Sequence, residues 1–162
     1  MSETSAEVIR RYLQDAIADS KNTETHLNKF AGESSESEAK QLFQQLALEA
    51  KTQHERLAAR LAALGGGSSI IHGRLSQLLG FGSKTSQVAQ ATDDRIIQNL
   101  VAAFATEHGT AAACDAIANM AEAASDHDTA ALARSIRDEA SVSAERIWQL
   151  LPSAVSQAYH DS

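Results

Sequence analysis

Residues 49–57 read Glu-Ala-Lys-Thr-Gln-His-Glu-Arg-Leu, and residues 139–147 read Glu-Ala-Ser-Val-Ser-Ala-Glu-Arg-Ile. They are two copies of one pattern. Each lies in a stretch whose apolar residues recur every three to four positions, the spacing of a helix with one buried face. Each falls in the second helix of a predicted helix–loop–helix unit. Two similar hairpins in one chain predict a four-helix bundle with internal pseudo-symmetry. The repeat also sets a carboxylate, Glu49 and then Glu139, beside the apolar stripe of its helix.

Working outward from the first copy, the pattern predicts a helix over about 36–64, with Leu42, Phe43, Leu46, Ala50, Gln53, Leu57 and Leu61 on its stripe. Ser35 and Glu38 form a candidate capping box at its start. Gly65-Gly66-Gly67 supplies the left-handed stop at its end. Its hairpin partner is predicted over about 5–30, opened by Thr4 and Glu7 and carrying Ile9, Leu13, Ala16, Ile17, Ser20, Leu27 and Phe30. Around the second copy, a helix is predicted over about 129–151, ended by Pro152 and followed by a short tail helix over 154–159. Its partner spans about 93–124, with Ile97, Leu100, Val101, Phe104, Ala111, Ile117 and Ala118 on the stripe. Residues 65–92 form a long crossover with short helical pieces such as 70–79. Loop lengths of short, long, short differ from those of a simple up-down bundle, and they predict an all-α, ferritin-like four-helix bundle as one domain over 1–162.

Composition narrows the function. A chain of 162 residues is long enough for one sizeable core. A net charge of −7 disfavours nucleic acid and anionic membrane as main partners. One cysteine, Cys114, excludes an internal disulfide and fits a reducing compartment. The N-terminus shows neither a basic start nor an apolar run, and no stretch is apolar enough to span a bilayer. The expectation is a soluble cytoplasmic protein. Cys114 reads as a small buried hydrophobe, and no nucleophile–base arrangement is legible.

Each long helix sets a polar residue near its mid-length at or beside the stripe: Ser20; Glu49 with Gln53; Glu107 with His108; and Glu139. Residues midway along antiparallel helices of similar length meet at one height. Three carboxylates and an imidazole would then converge inside the bundle. Buried ionised carboxylates are costly unless paired, protonated or metal-bound. Iron or manganese suits an oxygen-rich set with one imidazole. A complete di-metal bundle site takes a Glu from each of two helices and Glu-x-x-His from each of the other two. Here Thr52, Thr110 and Val142 stand where those histidines would be, and helix 1 offers only Ser20. One divalent metal held by Glu49, Gln53, Glu107, His108 and Glu139, and a wet polar layer without metal, both satisfy these residues.

With these pieces in place, the chain resembles the YciE/YciF-type stress-protein branch of the ferritin-like superfamily. The matching segments are Tyr12-Leu13-Gln14-Asp15-Ala16, Glu49 with Gln53, Glu55-Arg56-Leu57, Glu107-His108, Met120-Ala121-Glu122 and Asp138-Glu139. The family carries a Glu where this chain has Ser20, Glu-His-Tyr-Glu where it has Glu107-His108-Gly109-Thr110, and Glu-Glu where it has Glu139-Ala140. The resemblance implies a small helical protein, commonly a homodimer, tied to stress responses and metal binding. Three functions are compatible with it. The first is a stress-associated bundle with a degraded di-metal site, non-enzymatic or binding one metal. The second is a di-iron or di-manganese oxidoreductase acting on peroxide or iron. The third is a helical interaction scaffold.

Overall fold

The computed structural model describes residues 3–67 and 92–160. Among them are four α-helices: α1 (Ser5–Glu33), α2 (Ser37–Ala63), α3 (Thr92–Ala123) and α4 (His127–His160). Each boundary has a local cause. Thr4 caps α1 in a reciprocal box with Glu7, as the sequence predicts. At α2 the expected Ser35–Glu38 box is replaced by Glu36, whose carboxylate accepts from the N–H groups of Glu38 and Ala39. A carboxylate there satisfies two orphan donors and also meets the positive end of the helix dipole. Gly65, at φ 71°, closes α2, with the Gly66 N–H on the Leu61 carbonyl at 2.9 Å. The same wrap closes α3 without glycine: Ser125 takes φ 59° and the Asp126 N–H reaches the Ala121 carbonyl at 2.8 Å.

The predicted stop at Pro152, with a separate tail helix, is corrected: α4 runs unbroken through Pro152 to His160. Proline removes one backbone donor from the ladder. Here it sits on the exposed side, while Leu150, Leu151 and Ala154 pack against the core and hold the last turns helical. The helix expected over 70–79 lies outside the described residues.

α1 packs on α2, α3 on α4, α1 on α3, and α2 on α4. Glu49 faces Arg146 while Arg56 faces Glu139, so α2 and α4 run antiparallel. With each hairpin antiparallel as well, α3 runs parallel to α2 across the diagonal. The core is in two pieces. One holds Leu27, Phe43, Leu46, Leu100 and Ile147. The other holds Ile9, Leu13, Leu57, Ile117 and Ile136. Along every helix, the residues between the two pieces include buried polar side chains: Ser20 and Thr23 on α1, Gln53 on α2, Glu107 on α3 and Ser143 on α4. Buried polar groups cost free energy unless partnered. This mid-bundle layer is therefore where the fold departs from simple burial.

Candidate functional site

The polar layer is organised by the sequence repeat. Glu49 and Glu139 are ninety residues apart, and each is followed by a polar residue four positions on and an arginine seven positions on. On a helix, positions i, i+4 and i+7 share one face. Arg146 donates to Glu49 at 2.7 Å, and Arg56 donates to Glu139 at 2.7 Å. Ser143 donates to the second oxygen of Glu49 at 2.8 Å, and Gln53 reaches the second oxygen of Glu139 at 3.4 Å. The other guanidinium nitrogen of each arginine goes to the residue four positions before the facing glutamate: Arg146 to Gln45 at 2.6 Å, Arg56 to Ser135 at 2.8 Å. The two arginines thus make matching sets of bonds, and the Glu139 side adds one of its own, from the Ser135 hydroxyl to Glu139 at 2.9 Å. The repeat is an exchange, in which each hairpin supplies the arginine that neutralises the other's carboxylate.

The pairs sit at the rim. Side-chain exposure is 32% for Arg146 and 40% for Glu49, and 34% for Arg56 and 39% for Glu139. Guanidinium forks on carboxylates are strong, directional contacts. At this exposure they confer register between hairpins more than large stability.

Glu107 breaks the symmetry. It is 5% exposed, and no hydrogen bond to its carboxyl is found among the described residues. Burial, and then the charge of Glu49, push its carboxyl up to about 8, with Arg146 pulling the other way. It is therefore a neutral acid at pH 7. Ninety residues earlier, the equivalent place on α1 is Ile17, which packs against the second core piece. The layer holds three glutamates and two arginines, and Glu107 is the acid left over.

Of the five residues singled out from the sequence, Glu107 is buried, and the charge of Glu49 acts on its carboxyl from the rim. Gln53 is buried and turned to Glu139. Glu139 stands apart from Glu49: it meets α2 at Gln53 and Arg56, four to seven residues on from Glu49, roughly 6–10 Å along the axis. His108 is exposed, with its ring on the edge of Phe104 at 4.4 Å between centroids. Phe104 in turn lies 5.5 Å from the half-exposed Trp148. The adjacent inward residue is Glu107, and a helical step of about 100° carries His108 out. Among the described residues, no group of three His, Cys, Asp or Glu stands in a position to hold a metal ion. The oxygens that a divalent cation would take on Glu49 and Glu139 are already bonded to guanidinium, hydroxyl or amide donors. This donor set does not fit a bundle di-metal centre.

Arg56 and Arg146 are the functional residues that the sequence reading passed over, although both stand inside the quoted repeat. The available signal was the spacing of seven: a charge two turns from a glutamate on the same face, present in both hairpins. Cys114 is buried as expected, and burial followed by the charge of Glu139 push its thiol up to about 12, so it is inert. Asp126 caps α4 through Thr129 and receives Arg60 at 2.6 Å.

Residues 4–160 match the family described as a domain of unknown function, DUF892. The chain belongs to the DUF892 family. No curated protein matches this DUF892 member. Solved structures share its fold. A protein from Xanthomonas campestris pv. campestris aligns with a TM-score of 0.80 at 22% identity, covering 98% of each chain. The E. coli stress protein YciF aligns with a TM-score of 0.76 at 19% identity, covering 96% of this chain and 99% of that one. Both likenesses show the four-helix fold of this DUF892 protein. Among the described residues, no helix of this DUF892 protein is long and apolar enough to cross a membrane.

Proposed function

We propose that this DUF892 protein is a stress-associated, ferritin-like bundle without catalytic activity, in which a former metal layer has been closed by the protein's own ion pairs. The observation that carries the reading is the reciprocal exchange of Arg146 onto Glu49 and Arg56 onto Glu139. Catalysis at a bundle metal needs open positions on the ion and free carboxylate ligands. Here two of the three mid-bundle carboxylates are committed to arginine, and the third, Glu107, is held protonated. The stress association rests on the likeness to YciF, which is described as a stress protein. The reading includes a cytoplasmic homodimer, checked by light scattering.

Calorimetric titration of the chelator-stripped protein with Fe(II) or Mn(II) tests the proposal. The expected result is no tight binding, together with no Fe(II) oxidation by peroxide above the buffer rate. One or two tightly bound ions per chain would refute the closed layer. Peroxide-driven turnover that disappears in Glu107→Ala would put an oxidoreductase in its place.

A further inference from the structure

We propose that the outer face of α1 between Arg11 and Asp19 seats the chain's own segment 68–91, with Asp15 and Asp19 facing its basic side chains. The proposal is independent of the closed layer, to which none of these residues belongs. The route of the chain points to this face. α1 and α4 each pack on both α2 and α3, so a segment joining α2 to α3 can cross either one. At Gly67 the chain sits on α1: the Gln14 amide donates to the Gly67 carbonyl at 3.2 Å, and Arg10 donates to the Leu64 carbonyl at 3.2 Å. The chain returns at Thr92, and Asn99 donates to Glu33 at 3.1 Å, so α3 begins beyond the last turn of α1. Those two ends stand roughly 40 Å apart along α1. Fully extended, residues 68–91 would reach about twice as far. The segment can therefore follow α1 with length to spare.

The face itself carries the second sign. Leu13 is fully buried in the core, and Arg11, Asp15 and Ala18 lie on the opposite side of the helix. They are nevertheless half-buried, while Asn22, Thr25 and Lys29, further along the same side, are exposed. The Asp15 Oδ1 atom is shut off from water and has no hydrogen-bond partner among the described residues. A buried carboxylate oxygen costs free energy until a donor meets it. Charge names the donor. Residues 68–91 hold no Asp or Glu in a chain that has 21, and they carry His72, Arg74 and Lys84. On the face, Arg11 already meets Glu3 at 2.8 Å, so Asp15 and Asp19 set its sign. Arg74 is the nearer of the two permanent cations to Gly67, where the chain leaves α2 beside Gln14. The same segment brings Ile70, Ile71, Leu75 and Leu78, apolar side chains that exclude water from such a contact.

Trypsin cuts after Arg74 and Lys84, and thiol labelling reads the face directly. The native chain is digested beside a synthetic peptide of residues 68–91. Ala18→Cys is compared with Thr25→Cys for its rate of maleimide labelling, while Cys114 is buried and stays silent. The expected result is protection of about tenfold in both readouts, at low and high protein concentration alike: cleavage after Arg74 slower than in the peptide, and labelling of Ala18→Cys slower than of Thr25→Cys. Asp15→Asn/Asp19→Asn should remove most of the protection after Arg74, whereas Glu55→Gln, at an exposed acid on α2, should leave it unchanged. Circular dichroism checks that each variant keeps its helices. Where the double variant does not, Asp15→Asn alone is read, and the native digest needs no variant. Native cleavage as fast as in the peptide overturns the proposal, as does equal labelling of the two cysteine variants. Protection of Ala18→Cys that appears only at high concentration overturns it in favour of a second copy on this face. Protection untouched by the aspartate changes overturns the charged contact.

Discussion

The Glu49–Arg146 end of the polar layer and the Glu139–Arg56 end are built from the same four helix positions and carry different electrostatic loads. At the Glu139 end one carboxylate meets one guanidinium, with Ser135 and Gln53 completing the contacts, and the charges balance. At the Glu49 end the same arrangement also carries Glu107, buried and unbonded. One substitution across the pseudo-symmetry, Glu107 in place of the equivalent Ile17, changes a neutral staple into a strained one. Symmetry of sequence therefore fixes the arginine–carboxylate geometry here, and the buried acid at Glu107 sets the two ends apart electrostatically.

The largest expected effect follows from Glu107. Its folded-state value near 8 is above the ordinary 4.5. The folded protein thus holds a proton that the unfolded chain gives up above pH 4.5. Stability falls as pH rises from 4.5 to 8, by about 1.4 kcal/mol per pH unit at most, and levels off beyond. Glu107→Gln removes the titration. It should stabilise the protein by up to about 3 kcal/mol at pH 7 and more at pH 8, less whatever the buried amide loses through unmet hydrogen bonds. Urea unfolding at pH 5, 7 and 8.5 checks both sign and slope. A native protein as stable at pH 8.5 as at pH 5 would remove the asymmetry between the two ends.

Removing an arginine from each end gives the next effect. Arg146→Met leaves Glu49 uncompensated beside Glu107, so it should cost about 2 kcal/mol. Arg56→Met leaves a single, partly hydrated Glu139 and should cost about 1 kcal/mol, toward the upper range for exposed pairs. The difference between the two is the informative quantity. If Glu107 is its source, adding Glu107→Gln to each variant should make their losses equal, read from denaturation midpoints. Equal losses in the two single variants would show that Glu107 and Arg146 do not interact.

Much of this was legible in the sequence. The four helices could be read from apolar period, caps and glycines, because those signals are local. Pro152 misled, because whether a helix survives a proline depends on the tertiary contacts of Leu150, Leu151 and Ala154. The polar residues of the layer could be found, since each interrupts an apolar stripe. Their pairing could not. Reading Glu49, Glu107 and Glu139 as one cluster assumed a single height, whereas the antiparallel register of α2 and α4 sets Glu49 opposite Ser143 and Arg146 rather than opposite Glu139. Which way His108 points was likewise open, since a residue next to an inward glutamate can lie on either side of the helix. The arginines were visible but took a role only once the register was known.

The smallest expected effect belongs to Glu139→Gln. Were all three glutamates crowded together, removing any one charge should be neutral or stabilising. At this end there is no crowding to relieve. Glutamine keeps an oxygen for Arg56 and Ser135, and Arg56 is exposed enough to be hydrated when its partner loses charge. The change should therefore destabilise slightly, by about 0.5 kcal/mol, as for other partly exposed pairs. The effect should shrink further as salt rises from about 0.05 to 0.5 M, because screening already weakens the native pair. The counterpart Glu49→Gln, measured at pH 8.5 where Glu107 gives up its proton, has the opposite expectation, a small gain, since it lifts a like charge from Glu107 while keeping an acceptor for Arg146. Opposite signs for two equivalent positions, measured side by side in urea, would isolate Glu107 as the cause. The same sign at both ends would mean that the rim pairs behave alike and that the buried acid does not reach them.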